Sequence, residues 1–83
     1  MRMDFITFRS VTPAQRGQRV LQQAGIVCGL QRTPGDMEQR GCGYCLRVRP
    51  SDTAGAVAML RQQRIPFSKV YSSSEAGREE LSL

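Results

Sequence analysis

A repeated segment constrains the fold of this chain more than any other feature of its sequence. Residues 20–26 (VLQQAGI) resemble residues 59–65 (MLRQQRI), thirty-nine positions further on in a chain of 83 residues. Each segment joins the apolar stripe of a predicted helix to a following apolar stretch, as happens where a helix leads into a strand. The chain is therefore predicted to have two related halves, each with a helix between two strands.

The first half carries signals for a strand, a helix and a second strand. Residues 4–9 are aromatic and β-branched, which is typical of a strand. Thr12 as an N-cap, with Gln15 three residues later, makes a capping box and predicts that a helix begins there. Gly25 predicts the end of this helix, and residues 26–30 form the second predicted strand.

The second half begins after a polar segment, residues 31–41, that is predicted to be a loop. Side-chain alternation divides the third predicted strand into two faces. The face predicted to meet the core comprises Tyr44, Leu46 and Val48, and the face predicted to meet water comprises Cys45, Arg47 and Arg49. A second helix is predicted from Pro50 to about Arg64, with Ala56, Val57 and Leu60 facing inward. A closing strand is predicted over residues 66–71.

These elements predict an α+β fold with the order β-α-β-β-α-β. Right-handed crossovers on one sheet then give the ferredoxin-like split βαβ arrangement, a four-stranded antiparallel sheet with both helices on one face. We expect residues 1–71 to form this single domain. Residues 72–83 are serine-rich and charged, which predicts a flexible or short helical C-terminal tail.

The cysteines are the residues best suited to chemistry. The chain has three cysteines and no histidine, and Cys42 and Cys45 form a Cys-x-x-Cys pair. The odd number, together with a beginning that lacks a secretory hydrophobic region, argues against a disulfide scaffold and favours a cytoplasmic protein. In a reducing compartment such a pair most often serves redox, metal or thiol-transfer chemistry.

Cys42 is the candidate carrier thiol. In the predicted topology the third strand begins beside the end of the first strand and the start of the first helix, so Cys42 is expected near Arg9 and Ser10. The positive end of a helix and an arginine both favour the thiolate, and they lower the pKa of a thiol below its ordinary value of about 8.5. Gly43 removes side-chain bulk beside the sulfur, and Arg47 is expected to add positive charge.

Cys45 is the candidate resolving thiol of the pair. In an extended chain its sulfur and that of Cys42 lie on opposite faces, so a disulfide between them requires a turn or bulge at Gly43. Pairing of the second and third strands is expected to place Cys28 near Cys45. The alternative is that Cys28 and Cys45 are small hydrophobic residues of the core.

The charge of the chain favours acidic partners. Twelve basic residues stand against seven acidic ones, for a net charge of +5, and eleven of the twelve are arginine. Arginine suits planar recognition of phosphate or carboxylate better than lysine does. The segment 72–83 is acidic on balance, so the positive charge belongs to the folded body. No apolar run reaches the length of a membrane span, and no membrane association is expected.

Several short segments between Phe5 and Tyr71 form a combination found in a known family. They are residues 5–10 (FITFRS), 24–26 (AGI), 33–34 (TP), 42–43 (CG), 46–48 (LRV), Pro50 and residues 65–67 (IPF). In these segments the chain resembles the small bacterial proteins described as putative selenium or sulfur carrier protein-like. The resemblance implies that Cys42 holds a sulfur or selenium atom, as a persulfide or selenosulfide, between a donor and an acceptor protein. Gly35 and Gly41 depart from the family pattern, which more often has arginine and serine there.

Carriage of sulfur or selenium is the leading hypothesis, and it favours a carrier or binding protein without a cofactor over a stand-alone enzyme. A soft-metal carrier for copper or zinc is the first alternative. Three cysteines without histidine fall short of the four ligands of a closed zinc site, so no metal site is predicted. Binding of nucleic acid is disfavoured, because only Phe5, Phe8 and Tyr44 could stack on bases. A non-catalytic regulatory or partner-binding module is the remaining alternative.

Overall fold

The computed structural model describes residues 2–33, 43–74 and 77–81. The strands are β1 (Met3–Phe8), β2 (Cys28–Arg32), β3 (Tyr44–Val48), β4 (Val70–Ser74) and β5 (Gly77–Leu81), and the α-helices are α1 (Val11–Gln23) and α2 (Thr53–Gln62). A 3₁₀ turn, Pro50–Asp52, leads into α2. Neither α-helix of this described part is long and apolar enough to cross a membrane.

The strands form one antiparallel sheet in the order β2-β3-β1-β4-β5. The predicted α+β fold with two helices and an antiparallel sheet is therefore confirmed. The predicted four-stranded sheet and the element order β-α-β-β-α-β are wrong, because a fifth strand follows β4. This strand occupies residues 77–81, within the segment for which the sequence indicated a flexible or short helical tail.

Tertiary contacts hold β5 in place, although its own sequence does not favour a strand. Its exposed part, residues 77–80, has no β-branched or aromatic side chain. Leu81 packs against the main core beside its pairing partner Val70. On the other face of the sheet, the Arg78 guanidinium lies 6.0 Å from the centre of the Phe5 ring. Contacts on both faces therefore decide the conformation of this segment, and they cannot be read from its local sequence.

Both helices pack on the same face of the sheet. The buried core on this face comprises Ile6, Phe8, Cys28, Leu46, Val48 and Val70 from the strands, Ala14 and Leu21 from α1, Ala56, Val57 and Leu60 from α2, and Ile65. The inward residues predicted for α2 are confirmed. Leu46 and Val48 also face the core as predicted, and Tyr44 packs against its edge. Removal of these side chains from water is the main force that holds the layers together.

α1 begins earlier than the capping pattern predicts. Ser10 is the N-cap, with φ −143° and ψ 167°, and Val11 is the first helical residue. Thr12 therefore lies inside the first turn, and the predicted capping box is wrong. The Ser10 hydroxyl makes no capping hydrogen bond within the described residues. The first turn of α1 thus keeps backbone N–H groups that this side chain does not satisfy.

The end of α1 is confirmed at Gly25. Gly25 has φ 83°, a left-handed conformation that glycine adopts without strain. Its N–H donates to the Gln22 carbonyl at 3.0 Å, and the Ile26 N–H donates to the Leu21 carbonyl at 2.9 Å. These two bonds form a Schellman motif, which satisfies carbonyl groups in the last turn of the helix.

α2 ends in the same backbone motif, but with arginine in the left-handed position. Arg64 has φ 56°. Its N–H donates to the Arg61 carbonyl at 3.1 Å, and the Ile65 N–H donates to the Leu60 carbonyl at 2.9 Å. In the repeat that relates the two halves of the sequence, Arg64 corresponds to Gly25. The second half of the chain therefore keeps this left-handed turn, but with arginine in place of the glycine that adopts the conformation without strain.

We expect Arg64→Gly to raise the free energy of unfolding by about 0.5–1 kcal/mol, because it relieves the steric cost of a left-handed side chain. The matched control is Gln63→Gly at the preceding residue, which has φ −87°. That change should lower the free energy of unfolding, since it only adds freedom to the unfolded chain. Urea denaturation of the two variants checks the difference in sign. The same sign for both changes would contradict this account of the turn.

Thr7 fixes the connection from α2 to β4. The predicted strand over residues 66–71 starts too early, because β4 begins at Val70. Before it, the Ser68 N–H donates to the Thr7 carbonyl at 2.7 Å, and the Thr7 N–H donates to the Lys69 carbonyl at 2.8 Å. The Lys69 N–H donates to Thr7 Oγ1 at 3.0 Å. One buried residue on β1, through its backbone and its side chain, thus positions the residues that lead into β4.

Candidate functional site

The candidate site lies where the connection between β2 and β3 closes. The Thr33 N–H donates to the Gly43 carbonyl at 3.0 Å, and this bond ties the two ends of the connection together. Cys42, the predicted carrier thiol, lies outside the described residues. Gly43, which follows it in the chain, is buried at the base of the connection. Gly43 therefore marks where the described part of the structure comes next to Cys42 in the chain.

Two of the predicted supporting residues lie at the same end of the sheet as Gly43. The β1–β3 register pairs Phe8 with Tyr44, so the chain after Phe8 and the chain before Tyr44 emerge side by side. Arg9 and Ser10 follow Phe8, and both are exposed. Because Ser10 is also the N-cap of α1, this end of the sheet carries the partial positive charge of a helix N-terminus.

Arg47, the third supporting residue, lies elsewhere. It is four positions along β3 from Gly43, which at about 3.3 Å per residue separates them by about 13 Å. Its guanidinium extends across β2, with Nη2 3.8 Å from the place that a Cβ would occupy on Gly29. The structure thus does not bring Arg47 to the end of the sheet where Arg9, Ser10 and Gly43 lie.

Cys45 is completely buried on the face of the sheet opposite the helices. Its exposed fraction is 0%, and its neighbour in a second apolar cluster is Phe5, with Met3 and Tyr71 packed against them. The prediction that this face of β3 meets water is correct for Arg47, which is exposed, and wrong for Cys45. Apolar side chains from β1 and β4 cover the cysteine, and alternation within one strand does not reveal such a cover.

Burial raises the pKa of the Cys45 thiol above its ordinary value. Thr33 and Gln31, through their side chains, and the positive charges of Arg78 and Arg47 act in the opposite direction and only partly offset the burial. The Thr33 hydroxyl is buried and has no hydrogen-bond partner among the described residues. Because a thiolate is the nucleophile in thiol exchange, the burial of Cys45 disfavours its reactive form.

Cys28 lies on the other face of the sheet from Cys45. It pairs with Val48 in the β2–β3 register, whereas Cys45 pairs with Gln31. The predicted proximity of the two cysteines is therefore wrong. Cys45 lies opposite Gln31, three residues along β2 from Cys28, and an odd separation places the two side chains on opposite faces of the sheet. Cys28 belongs to the main core, where burial raises its pKa. Its thiol contacts the Gln18 carbonyl, with Sγ 3.7 Å from the oxygen.

The described cysteines do not form a metal site. Cys28 and Cys45 are both free and buried, and the sheet separates them. Among the residues that the structure describes, no group of three or more cysteine, histidine, aspartate or glutamate residues is arranged to hold a metal ion.

Three residues around Cys45 were missed in the sequence. Gln31 and Thr33 lie across the ladder from β3, and Arg78 comes from β5. The first two could have been found from a hairpin register fixed at Thr33 and Gly43, because that register sets Gln31 directly opposite Cys45. Arg78 could not, since it lies in the segment for which no strand was predicted.

Comparison with known proteins identifies the family of this chain. No curated protein and no solved structure matches it. The model of one family, described as putative Se/S carrier protein-like, matches residues 4–72. The matched segment runs from β1 into β4 and includes Gly43 and the N-terminus of α1, while β5 lies beyond it. Because this match covers most of the chain, the protein belongs to the putative Se/S carrier protein-like family.

Proposed function

We propose that this protein carries a terminal sulfur or selenium atom on Cys42. The observation that supports the proposal is the family match, since the matched residues 4–72 include Cys42 and Gly43. Burial of the other two cysteines supports it further, because neither Cys28 nor Cys45 presents its sulfur to a partner. Cys42 is then the thiol through which the family's function is carried out in this chain.

Loading is a thiol exchange in which atoms and electrons balance. The Cys42 thiolate attacks the terminal sulfur of a persulfide on a donor protein. A new S–S bond forms at Cys42, the S–S bond within the donor breaks, and the donor thiolate leaves. Delivery repeats the exchange, with the thiolate of an acceptor as the nucleophile. No external oxidant or reductant is required, and a selenium cargo follows the same course.

The surroundings of Gly43 suit an anionic sulfur. Arg9 supplies a full positive charge, and the first turn of α1, which begins after Ser10, supplies N–H groups and partial positive charge. Gly43 adds no side chain beside the neighbouring cysteine. We propose that Arg9 and the first turn of α1 stabilise the thiolate and the loaded persulfide, that Gly43 leaves room for a partner's thiol to approach, and that Arg47, because of its distance, takes no part in this stabilisation.

Cys45 does not act as the resolving thiol in this proposal. Its sulfur is fully buried and its pKa is raised, so attack on a persulfide at Cys42 would require the sheet to open locally. Release of the cargo is therefore assigned to the thiol of an acceptor. Cys45 instead fills the apolar cluster that it shares with Phe5.

Loading by a cysteine desulfurase with cysteine tests the proposal. We expect mass spectrometry after trapping of persulfides to show one added sulfur atom on Cys42 of the native chain, and none on the Cys42→Ser variant. The double variant Cys28→Ser, Cys45→Ser is the matched control and should load as the native chain does. Loading of Cys42→Ser, or the absence of added sulfur on Cys42 in the native chain, would contradict the proposal.

A further inference from the structure

Arg32 lies at the end of the sheet that carries the candidate site. It is the last residue of β2 and pairs with Tyr44, the first residue of β3. Tyr44 pairs on its other side with Phe8, the last residue of β1. Gly43 precedes Tyr44 in the chain, and Arg9 follows Phe8. Arg32 and Arg9 therefore flank the start of β3 from the two strands beside it.

An aromatic ring holds the guanidinium of Arg32 in place. The Arg32 Cζ lies over the Tyr44 ring, 5.8 Å from its centre, which is within the range of a cation–π contact. Tyr44 is itself fixed, because it packs against the main core. The Arg32 side chain is exposed and makes no hydrogen bond within the described residues. Its N–H groups are therefore available as donors to a ligand.

Among the described residues, no acidic side chain lies near Arg32. The acidic residues that the structure describes are Asp4, Asp52, Glu79 and Glu80. Asp4 pairs with Val48, which is about 13 Å along β3 from Tyr44, and the other aspartate follows β3 at that same far end. The two glutamates belong to β5, at the opposite edge of the sheet and about 19 Å from β2. The positive charge of Arg32 is thus not neutralised by this part of the chain.

We propose that Arg32 binds an acidic group of the molecule that exchanges sulfur or selenium with Cys42. The inference rests on the proposed carrier function. Tyr44 is two residues from Cys42 in the sequence, and two residues span at most about 7 Å. A molecule whose terminal sulfur meets Cys42 therefore brings the atoms beside that sulfur close to Arg32. A carboxylate among those atoms would accept two parallel N–H bonds from the guanidinium.

The substrate class that fits this arrangement is a persulfide with a carboxylate beside its sulfur. Free cysteine and small thiols derived from it carry such a carboxylate. A protein donor carries one where an aspartate or glutamate lies next to its persulfide. The exchange itself is unchanged: the Cys42 thiolate attacks the terminal sulfur, an S–S bond forms at Cys42, the S–S bond of the donor breaks, and the donor leaves as a thiolate with its carboxylate.

The first test compares an anionic and a neutral reagent of nearly equal size, iodoacetate and iodoacetamide. In both reactions the Cys42 thiolate displaces iodide, so any change in the ionisation or accessibility of this thiol cancels in the ratio of the two rates. We expect Arg32→Gln to lower the ratio of the iodoacetate rate to the iodoacetamide rate by about threefold or more, because it removes the charge that attracts the carboxylate. Mass spectrometry assigns the alkylation to Cys42.

The matched control is Arg47→Gln. Arg47 is another exposed arginine, but it lies about 13 Å along β3 from Gly43. Its replacement should leave the ratio of the two alkylation rates unchanged. An equal fall in both variants would show that the ratio reports the net charge of the protein and not binding at Arg32, which would contradict the inference.

A conservative variant and the ionic strength provide independent checks. Arg32→Lys keeps the positive charge and should keep most of the ratio of alkylation rates. A fall as large as that in Arg32→Gln would show that charge is not what Arg32 contributes. Added salt should lower the ratio of the native chain towards that of Arg32→Gln, and a ratio independent of salt would also contradict the inference. Far-ultraviolet circular dichroism confirms that each variant is folded.

Loading experiments identify the source of the acidic group. The small donors are the persulfides of mercaptoacetate, which has a carboxylate, and of mercaptoacetamide, which does not. A cysteine desulfurase bearing a persulfide is the protein donor. Arg32→Gln should slow loading from the mercaptoacetate donor about threefold more than loading from the amide donor. If it also slows loading from the desulfurase, the acidic group belongs to a protein donor as well, whereas unchanged loading from the desulfurase assigns the group to a small molecule.

The failure of this inference and the failure of the carrier function are distinguishable. Equal ratios in the native chain and in Arg32→Gln, both for the alkylating reagents and for the small persulfides, would overturn the role of Arg32. A native chain that accepts sulfur from none of the donors would contradict the carrier function itself. The ratio of alkylation rates would then still decide whether Arg32 binds an acidic group beside Cys42.

Discussion

Replacing Gly17 with valine should lower the free energy of unfolding by about 1–3 kcal/mol. Gly17 lies in the middle of α1 and is buried. A Cβ at this position would lie 3.1 Å from Leu60 Cδ2 and 3.3 Å from both Leu46 Cδ1 and Phe8 Cζ. These atoms come from α2, β3 and β1, and interiors packed to this density have little room to adjust. A branched side chain at residue 17 would therefore separate α1 from the sheet.

The matched control is Gly55→Val in α2. Gly55 also lies within a helix, but apart from its chain neighbours and the backbone of its own helix, no atom of the described residues lies within 4 Å of a Cβ built there. Valine has a somewhat better helix propensity than glycine, so this change should leave stability unchanged or raise it by a few tenths of a kcal/mol. Chemical denaturation of both variants measures the contrast. Equal effects would show that helix propensity, and not the close approach of the layers, determines the result at Gly17.

Replacing Thr53 with valine, which removes its hydroxyl, should lower the free energy of unfolding by about 1.5–3 kcal/mol, a loss comparable to that at Gly17. Asp4 on β1 is completely buried, and its Oδ2 accepts a hydrogen bond from Thr53 Oγ1 at 2.5 Å. Arg2, which is half exposed, donates to Asp4 Oδ1 at 3.2 Å. Valine has the same shape as threonine but no donor, so the carboxylate would keep its burial and lose its buried partner.

Thr53→Ser separates the hydroxyl from the methyl group of this side chain. Serine keeps the donor to Asp4 and loses only one methyl group from a buried site. We expect its loss of stability to be at most about 1 kcal/mol, the usual scale for one methyl group. Thermal and urea unfolding of the two variants supply the comparison. If serine proves as harmful as valine, the hydrogen bond to Asp4 is not what Thr53 contributes.

Local patterns were sufficient to predict the elements that form the main core. The aromatic and β-branched residues of β1, the apolar stripe of α2 and the glycine after α1 each act within a few residues of the chain. Such signals depend on backbone preference and on one face meeting the core, and both are visible in the sequence. The two-helix α+β fold follows from their order along the chain.

Features that depend on contacts between distant strands could not be predicted in this way. The position of Cys28 relative to Cys45 depends on the β2–β3 register, which is fixed outside the two strands by the bond between Thr33 and Gly43. The burial of Cys45 depends on Phe5 and Tyr71, which come from two other strands. β5 forms because Leu81 and Arg78 find partners across the sheet, although the segment itself has poor strand propensity.

The candidate site was predicted only in part for the same reason. The meeting of Arg9 and Ser10 with the start of β3 follows from antiparallel pairing of two strands, which the predicted topology contained. Arg47 was expected at that site because of its charge, but the length of β3 keeps it away from Gly43. Alternation along β3 places Arg47 on the face of the sheet opposite the helices, and its distance from Gly43 separates it from the candidate site.

The position of β5 determines how short this protein can be made. A chain cut at residue 72, where the family match stops, would end inside β4 and lose β5 altogether. Val70 would then lack Leu81, and Phe5 would lack the guanidinium of Arg78. The remaining uncharged edge of β4 would offer free backbone groups to other molecules, a common route to aggregation. Recombinant versions of the protein should therefore retain the chain through Leu81.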